Sequence, residues 1–193
     1  MSFFEMKTPA AARRFFLQRS GIVLSGAAVA LLAGNEALAA KSGKSGGKGS
    51  AGDVRILNTA LGAELEAIAA YGVGAQSGLL QKPVLDLAVT FQGHHKEHAD
   101  VLAKTIEKLG GKPVAAKSHY NFPTDQLKTQ ADVLRFAAGL EKGAVSAYLG
   151  AVPLFASRDL SKAAASILGD EAIHFAVLKT ALGEDPDPSP FVS

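Results

Sequence analysis

The sequence predicts an all-α four-helix bundle with one long crossover between its second and third helices, on three observations. Four stretches carry apolar residues at steps of three and four, the period of a helix with one buried face. The connections after the first and third stretches are short, whereas the one after the second, roughly residues 111–129, is long and holds Pro113 and Pro123. No segment shows the alternation of a half-buried strand.

The first helix runs from about Asp53, an expected N-cap, to Gly74 or slightly beyond. Its inward stripe is Leu57, Leu61, Glu64, Ile68 and Tyr71. The second starts near Pro83, a residue suited to a first turn, and stops at Gly110–Gly111. Its stripe is Ala88, Phe91, His95, His98, Leu102 and Leu109. The third follows Thr129, with Asp132 three residues on as its capping partner, and ends at Pro153. Its stripe is Leu134, Ala137, Glu141, Val145, Tyr148 and Val152. The fourth is expected to start from an N-cap at Asp159 and to bury Leu160, Ala164, Ile167, Glu171, His174, Leu178 and Ala181.

Outside residues 53–183 the chain reads differently. Residues 1–39 have the layout of an export signal: Arg13 and Arg14, then Phe15, Phe16 and Leu17, then a mostly apolar run from Gly21 to Gly34, and Ala-Leu-Ala at 37–39. The paired arginines resemble a twin-arginine signal, which implies the Tat export machinery as partner and a periplasmic or otherwise exported product. An ordinary Sec signal and an uncleaved anchor are the alternatives. A membrane span needs about 20 apolar residues, which this run reaches only at a stretch. Residues 40–52, rich in Gly, Ser and Lys, are expected to form a flexible tether, and the Pro-rich 184–193 a disordered tail.

Composition narrows the chemistry. There is no cysteine among 193 residues, hence no disulfide, no thiolate metal site and no thiol nucleophile. Lys7, Arg13, Arg14 and Arg19 account for the basic balance; beyond residue 39 there are 16 basic and 16 acidic residues, so no nucleic-acid partner is expected and the mature chain should be soluble. No phosphate-binding or dinucleotide glycine pattern appears.

The two halves repeat. Glu64 and Tyr71 are seven apart, as are Glu141 and Tyr148, while Glu64 precedes His98 by 34 residues and Glu141 precedes His174 by 33. Residues three apart share a helical face, so His95 with His98 and Glu171 with His174 can each offer two donor atoms to one point. Glu64 and Glu141 add a carboxylate from each remaining helix, and His94, one residue off the stripe, can rotate in. Burying unpaired ions costs several kcal/mol each, and a divalent cation or a pair would remove that cost. Carboxylate and imidazole without thiolate suit iron or manganese, with zinc possible. The metal-free alternative has neutral glutamates bonded to the hydroxyls of Tyr71 and Tyr148. His119 on the crossover reads as a surface residue.

These residues resemble the ferritin-like superfamily, in particular the exported ferritin-like domain proteins of bacteria. "LNTALGAELEAIAAY" (57–71) is similar to that family's first helix, "LEKGAVSAY" (140–148) to its third, and "EAIH" (171–174) to the Glu-x-x-His of its fourth. The resemblance implies ligands at Glu64 and Glu141, a bridging Glu171 and a capping His174, holding one or two metal ions. The departure is "GHHKEHADVL", where His95 stands at the position of a second bridging glutamate and Glu97 falls on the polar face. A lopsided two-metal site or a single-metal site is therefore expected. The function expected is exported metal binding, with oxidase-type chemistry on oxygen or peroxide. The alternative is a metal-free or structural-zinc bundle that binds a partner in the envelope.

Overall fold

A computed structural model of the protein describes residues 46–191; the expected signal segment 1–39 lies outside them, as does the start of the tether. The described residues form four long helices: α1 Gly46–Gln76, α2 Lys82–Lys108, α3 Gln130–Ala151 and α4 Arg158–Ala181. Among the described residues there is no strand, and no helix is long and apolar enough to cross a membrane.

The helix ends follow local chemistry. Pro83 sits in the first turn of α2, where its missing N–H has no intrahelical partner to lose. Gly110 ends that helix at φ 77°, a conformation open to glycine, and Gly111 N–H closes the turn on the Ile106 carbonyl at 2.9 Å. Thr129 and Asp132 form a reciprocal capping box on α3, with Asp132 N–H donating to Thr129 Oγ1 at 3.2 Å and Thr129 N–H to Asp132 Oδ2 at 2.9 Å. Pro153 falls in the short 3-10 turn Val152–Leu154 that ends α3.

Four expectations need correction. The tether at 40–52 is helical from Gly46 onward, so α1 begins seven residues before Asp53. Asp53 is consequently not the cap of its own helix. It is buried and accepts from the N–H groups of Ala156 at 2.8 Å and Ser157 at 3.2 Å, joining α1 to the start of α4. The N-cap of α4 is Ser157, whose hydroxyl accepts from Leu160 N–H; Asp159 lies inside the first turn. Ala181, expected on the buried stripe, is exposed.

α1 packs on α2 and α3 on α4, and the two hairpins face each other through α1–α3 and α2–α4 contacts. The crossover is pinned to α1 by one amide: Asn58 Nδ2 donates to the Lys112 carbonyl at 3.1 Å, and Asn58 Oδ1 accepts from Val114 N–H at 2.8 Å. His119 is exposed on it, as expected.

The apolar core is divided into two. One cluster gathers Leu57, Leu61, Leu102, Ile106, Ala164 and Ile167; the other gathers Ala88, Phe91, Leu134, Ala137, Ala138 and Leu178. On every helix, residues of the two clusters flank the glutamates and histidines of the inward stripes. The fold thus carries a polar layer across its middle, closed above and below by hydrocarbon.

Candidate metal centre

Each helix delivers its polar residues to this layer. Glu64, His95, Glu141, Glu171 and His174 are at most 2% exposed, and the His98 side chain is 15% exposed. The structure brings them into two groups of four, Glu64–His95–His98–Glu171 and His95–Glu141–Glu171–His174, in each of which the ligand atoms all lie within 4.8 Å of one another. His95 and Glu171 belong to both. Glu97 is exposed, as its helical face requires.

The two groups are related as the two halves of the sequence are. Tyr148 on α3 donates to Glu64 Oε1 on α1 at 2.6 Å, and Tyr71 on α1 donates to Glu141 Oε1 on α3. Numbers rise along α1 as they fall along α3, so these are antiparallel helices, each offering a carboxylate to the other's phenol. His95 lies between the two carboxylates, with Nδ1 2.8 Å from Glu64 Oε2 and Nε2 3.3 Å from Glu141 Oε1.

What distinguishes the layer is its unpartnered atoms. His98 Nδ1, His174 Nδ1, Glu141 Oε2 and both carboxylate oxygens of Glu171 are buried without a hydrogen bond. His98 Nδ1 is 3.1 Å from Glu171 Oε1, and His174 Nδ1 is 3.5 Å from Glu171 Oε2, without hydrogen-bond geometry in either pair. Native interiors leave few polar atoms unsatisfied, and these converge from three helices on one volume. Two inward imidazole nitrogens and a carboxylate with both oxygens free form a donor set that fits divalent cations.

Asp170, which the sequence reading did not single out, stands at the edge of the layer. Its Oδ2 is 3.3 Å from His98 Nε2 and 3.3 Å from His174 Nε2. The hydrogen bond that His174 Nε2 makes is to His94 Nδ1, at 2.9 Å; a proton held there on Nε2 leaves the Nδ1 lone pair of His174 aimed inward, as outer partners do for a metal-binding histidine. The available signal for Asp170 was its adjacency to Glu171 and its position four residues before His174. His94 does not join either buried group: its side chain is 40% exposed and stands beside Asp170 at the edge of the layer.

Imidazoles and carboxylates of the layer also support each other without a cation. Burial pushes His95 down, but its bonds to Glu141 and Glu64 outweigh this and lift it to about 10. Burial likewise pushes His98 and His174 down, but the carboxylates around them outweigh this and lift both to about 9. Burial raises Glu64 and Glu141, yet the facing imidazoles leave both below their ordinary range. This overturns the expectation of neutral glutamates at these two positions: the metal-free layer holds carboxylates against imidazoliums. The phenols of Tyr71 and Tyr148 are pushed well above their ordinary value by burial and then by the adjacent glutamates, so they act as hydrogen donors.

A family description of the ferritin-like domain matches residues 52–184. Among solved structures, the conserved hypothetical protein rv2844 of Mycobacterium tuberculosis is 24% identical, with a TM-score of 0.64 over 74% of this chain and 99% of that one. A ferritin-like, diiron-carboxylate protein of Bacillus anthracis is 21% identical, with a TM-score of 0.60 over 69% of this chain and 97% of that one. The chain matches none of the curated proteins compared with it. With more than half of its residues covered by that description, the chain belongs to the ferritin-like domain family.

Proposed function

We propose that the protein is an exported metal-binding protein whose bundle holds one or two divalent ions, iron or manganese by preference and zinc as an alternative, for oxidase-type chemistry on oxygen or peroxide. The observation that carries the metal reading is the set of buried, unpartnered donors: Nδ1 of His98, Nδ1 of His174 and both oxygens of Glu171. Glu64, His98 and Glu171 would hold one ion; Glu141, Glu171 and His174 would hold the other. The diiron-carboxylate description of the Bacillus anthracis neighbour agrees with this reading.

His95 makes the two positions unequal. A neutral imidazole has one lone pair, so His95 can serve one ion while donating its remaining N–H to a glutamate. One position is then a ligand short, which leaves it open to water or an oxidant. A bound redox metal supplies Lewis acidity and electron transfer. The chain supplies the rest: phenols that steady Glu64 and Glu141, the Phe91 ring and His94 that orient His174, and two apolar clusters that keep bulk water out.

Export through the Tat machinery to the periplasm rests on Arg13, Arg14 and the apolar run after them. Replacing both arginines with lysine should leave full-length protein in the cytoplasmic fraction.

Elemental analysis of protein purified from its native compartment tests the metal reading. One or two ions per chain are expected, lost in Glu171→Ala and kept in Glu97→Ala. The second reading, a metal-free bundle that binds a partner, is favoured by the hydrogen bonds through which His95 joins Glu64 and Glu141 without a metal. Protein that carries no metal, or metal content that Glu171→Ala does not change, would count for it against the first.

A further inference from the structure

We propose that His94, Asp170 and His174 form an outer divalent-metal site through which the buried centre is loaded; the inference rests on the metal reading above. Their ligand atoms lie within 4.8 Å of one another, and they form a third group beside the two buried ones. His94 Nδ1 is 2.9 Å from His174 Nε2 and 3.5 Å from Asp170 Oδ2, and His174 Nε2 is 3.3 Å from the same oxygen.

The site lies where solvent meets the polar layer. The side chains of His94 and Asp170 are 40% and 33% exposed, whereas that of His174 is 1% exposed. His174 therefore spans the boundary: Nε2 faces the outer pair, and Nδ1 faces Glu141 and Glu171 at 3.7 and 3.5 Å. Its ring is held in this orientation by stacking on Phe91, with centroids 4.0 Å apart.

One ring cannot serve both sides at once. A neutral imidazole carries its hydrogen on one nitrogen and its free lone pair on the other. A cation on Nε2 leaves the proton on Nδ1, toward the glutamates. A cation on Nδ1 requires the proton on Nε2, toward His94 and Asp170. Moving inward thus exchanges one proton lost from Nδ1 for one gained at Nε2, with no net change on the ring. The outer position is occupied on the way in and vacated when the inner one fills, so it governs rate and not final affinity.

Cobalt(II) uptake by the full mature chain, followed by stopped-flow absorbance, reads this directly. In His94→Ala the loading rate should fall about tenfold or more, and release into excess chelator should slow by the same factor. Final cobalt stoichiometry and affinity should match wild type. His94→Asp, which returns a ligand to the position, should recover the rate. Wild-type loading speed in His94→Ala overturns the proposal. So does a lower final stoichiometry, which would make His94 a permanent ligand, and so does slowing that His94→Asp fails to relieve. A wild-type chain that takes up no cobalt overturns the metal reading itself, a distinct result from wild-type uptake indifferent to His94.

Discussion

Tyr148 gives its phenol hydrogen to Glu64 across the bundle at 2.6 Å, and both side chains are buried. Tyr71 and Glu141 repeat the relation in the opposite direction. Each bond ties α1 to α3 and at the same time limits the rotation of a carboxylate that faces the layer.

Tyr148→Phe should therefore act on the metal-free and the metal-loaded states unequally. Without metal, Glu64 keeps its charge but loses a donor, and a buried acceptor left short costs about 1–3 kcal/mol. With metal, the cation takes up part of that deficit. Thermal unfolding with and without added metal should show the larger loss in the metal-free protein. Equal losses would mean that Glu64 does not face a cation.

The raised imidazoles predict how the metal-free protein responds to pH. His95 rises from 6.5 to about 10, and His98 and His174 to about 9. The stability they contribute is full below pH 6.5 and is lost as the pH climbs through 9 to 10, because the folded chain must then surrender protons that the unfolded chain has already lost. Glu64 and Glu141 are lowered from 4.5, so their contribution is full above that value and fades as the pH falls. Denaturant unfolding of metal-free protein should show a plateau between about pH 4.5 and 6.5 and a decline above it. Metal binding at neutral pH should release protons, detectable by calorimetry in buffers of different ionisation enthalpy. A stability flat from pH 6.5 to 9 would show that the imidazoles are uncharged when metal-free.

Asp53 carries a prediction about the frame. Its carboxylate accepts from two N–H groups at the start of α4, from a helix whose own first turn lies seven residues earlier. Asp53→Ala should lower stability by about 1–3 kcal/mol, with Asp53→Asn losing less because one acceptor oxygen survives. Metal content should change little, since three helical turns separate Asp53 from Glu64. Chemical denaturation with parallel metal analysis checks both halves of the expectation.

The stripes were legible because helical period and residue chemistry agree at Glu64, His95, Glu141, Glu171 and His174: each stands where a leucine is expected, and the same spacing occurs in both halves. Asp170 was not legible for the converse reason. It is one residue from Glu171, about 100° around the helix, so a single-helix reading assigns it to solvent. Only the approach of α2 brings His98 and His94 against it. Asp53 was misread because N-capping is a local rule, whereas its partners are more than 100 residues away. The first turns of α1 carry Gly-Gly-Lys-Gly, a composition without apolar period and with low helical propensity, so no local sign marks the start of the helix there.

His95 offers the sharpest test of how the layer is balanced. As it stands, His95 lies between Glu64 and Glu141 and supports the charge of both without a metal. His95→Glu removes one imidazole and adds a fourth carboxylate at a position 1% exposed. The change leaves four buried carboxyl groups with two imidazoles, so the metal-free variant should lose several kcal/mol of stability and unfold on mild heating. The same substitution supplies a carboxylate with two oxygens where a single ring lone pair served before, which completes the ligand-poor position. Divalent metal should then restore the folded state, and stoichiometry should rise to two per chain if the wild type holds one. Thermal unfolding against metal concentration, with metal content measured on the same samples, separates the outcomes. A variant as stable as wild type without metal would mean that His95 is not charged in the folded protein, and would remove the basis for reading this layer as a balance between protons and cations.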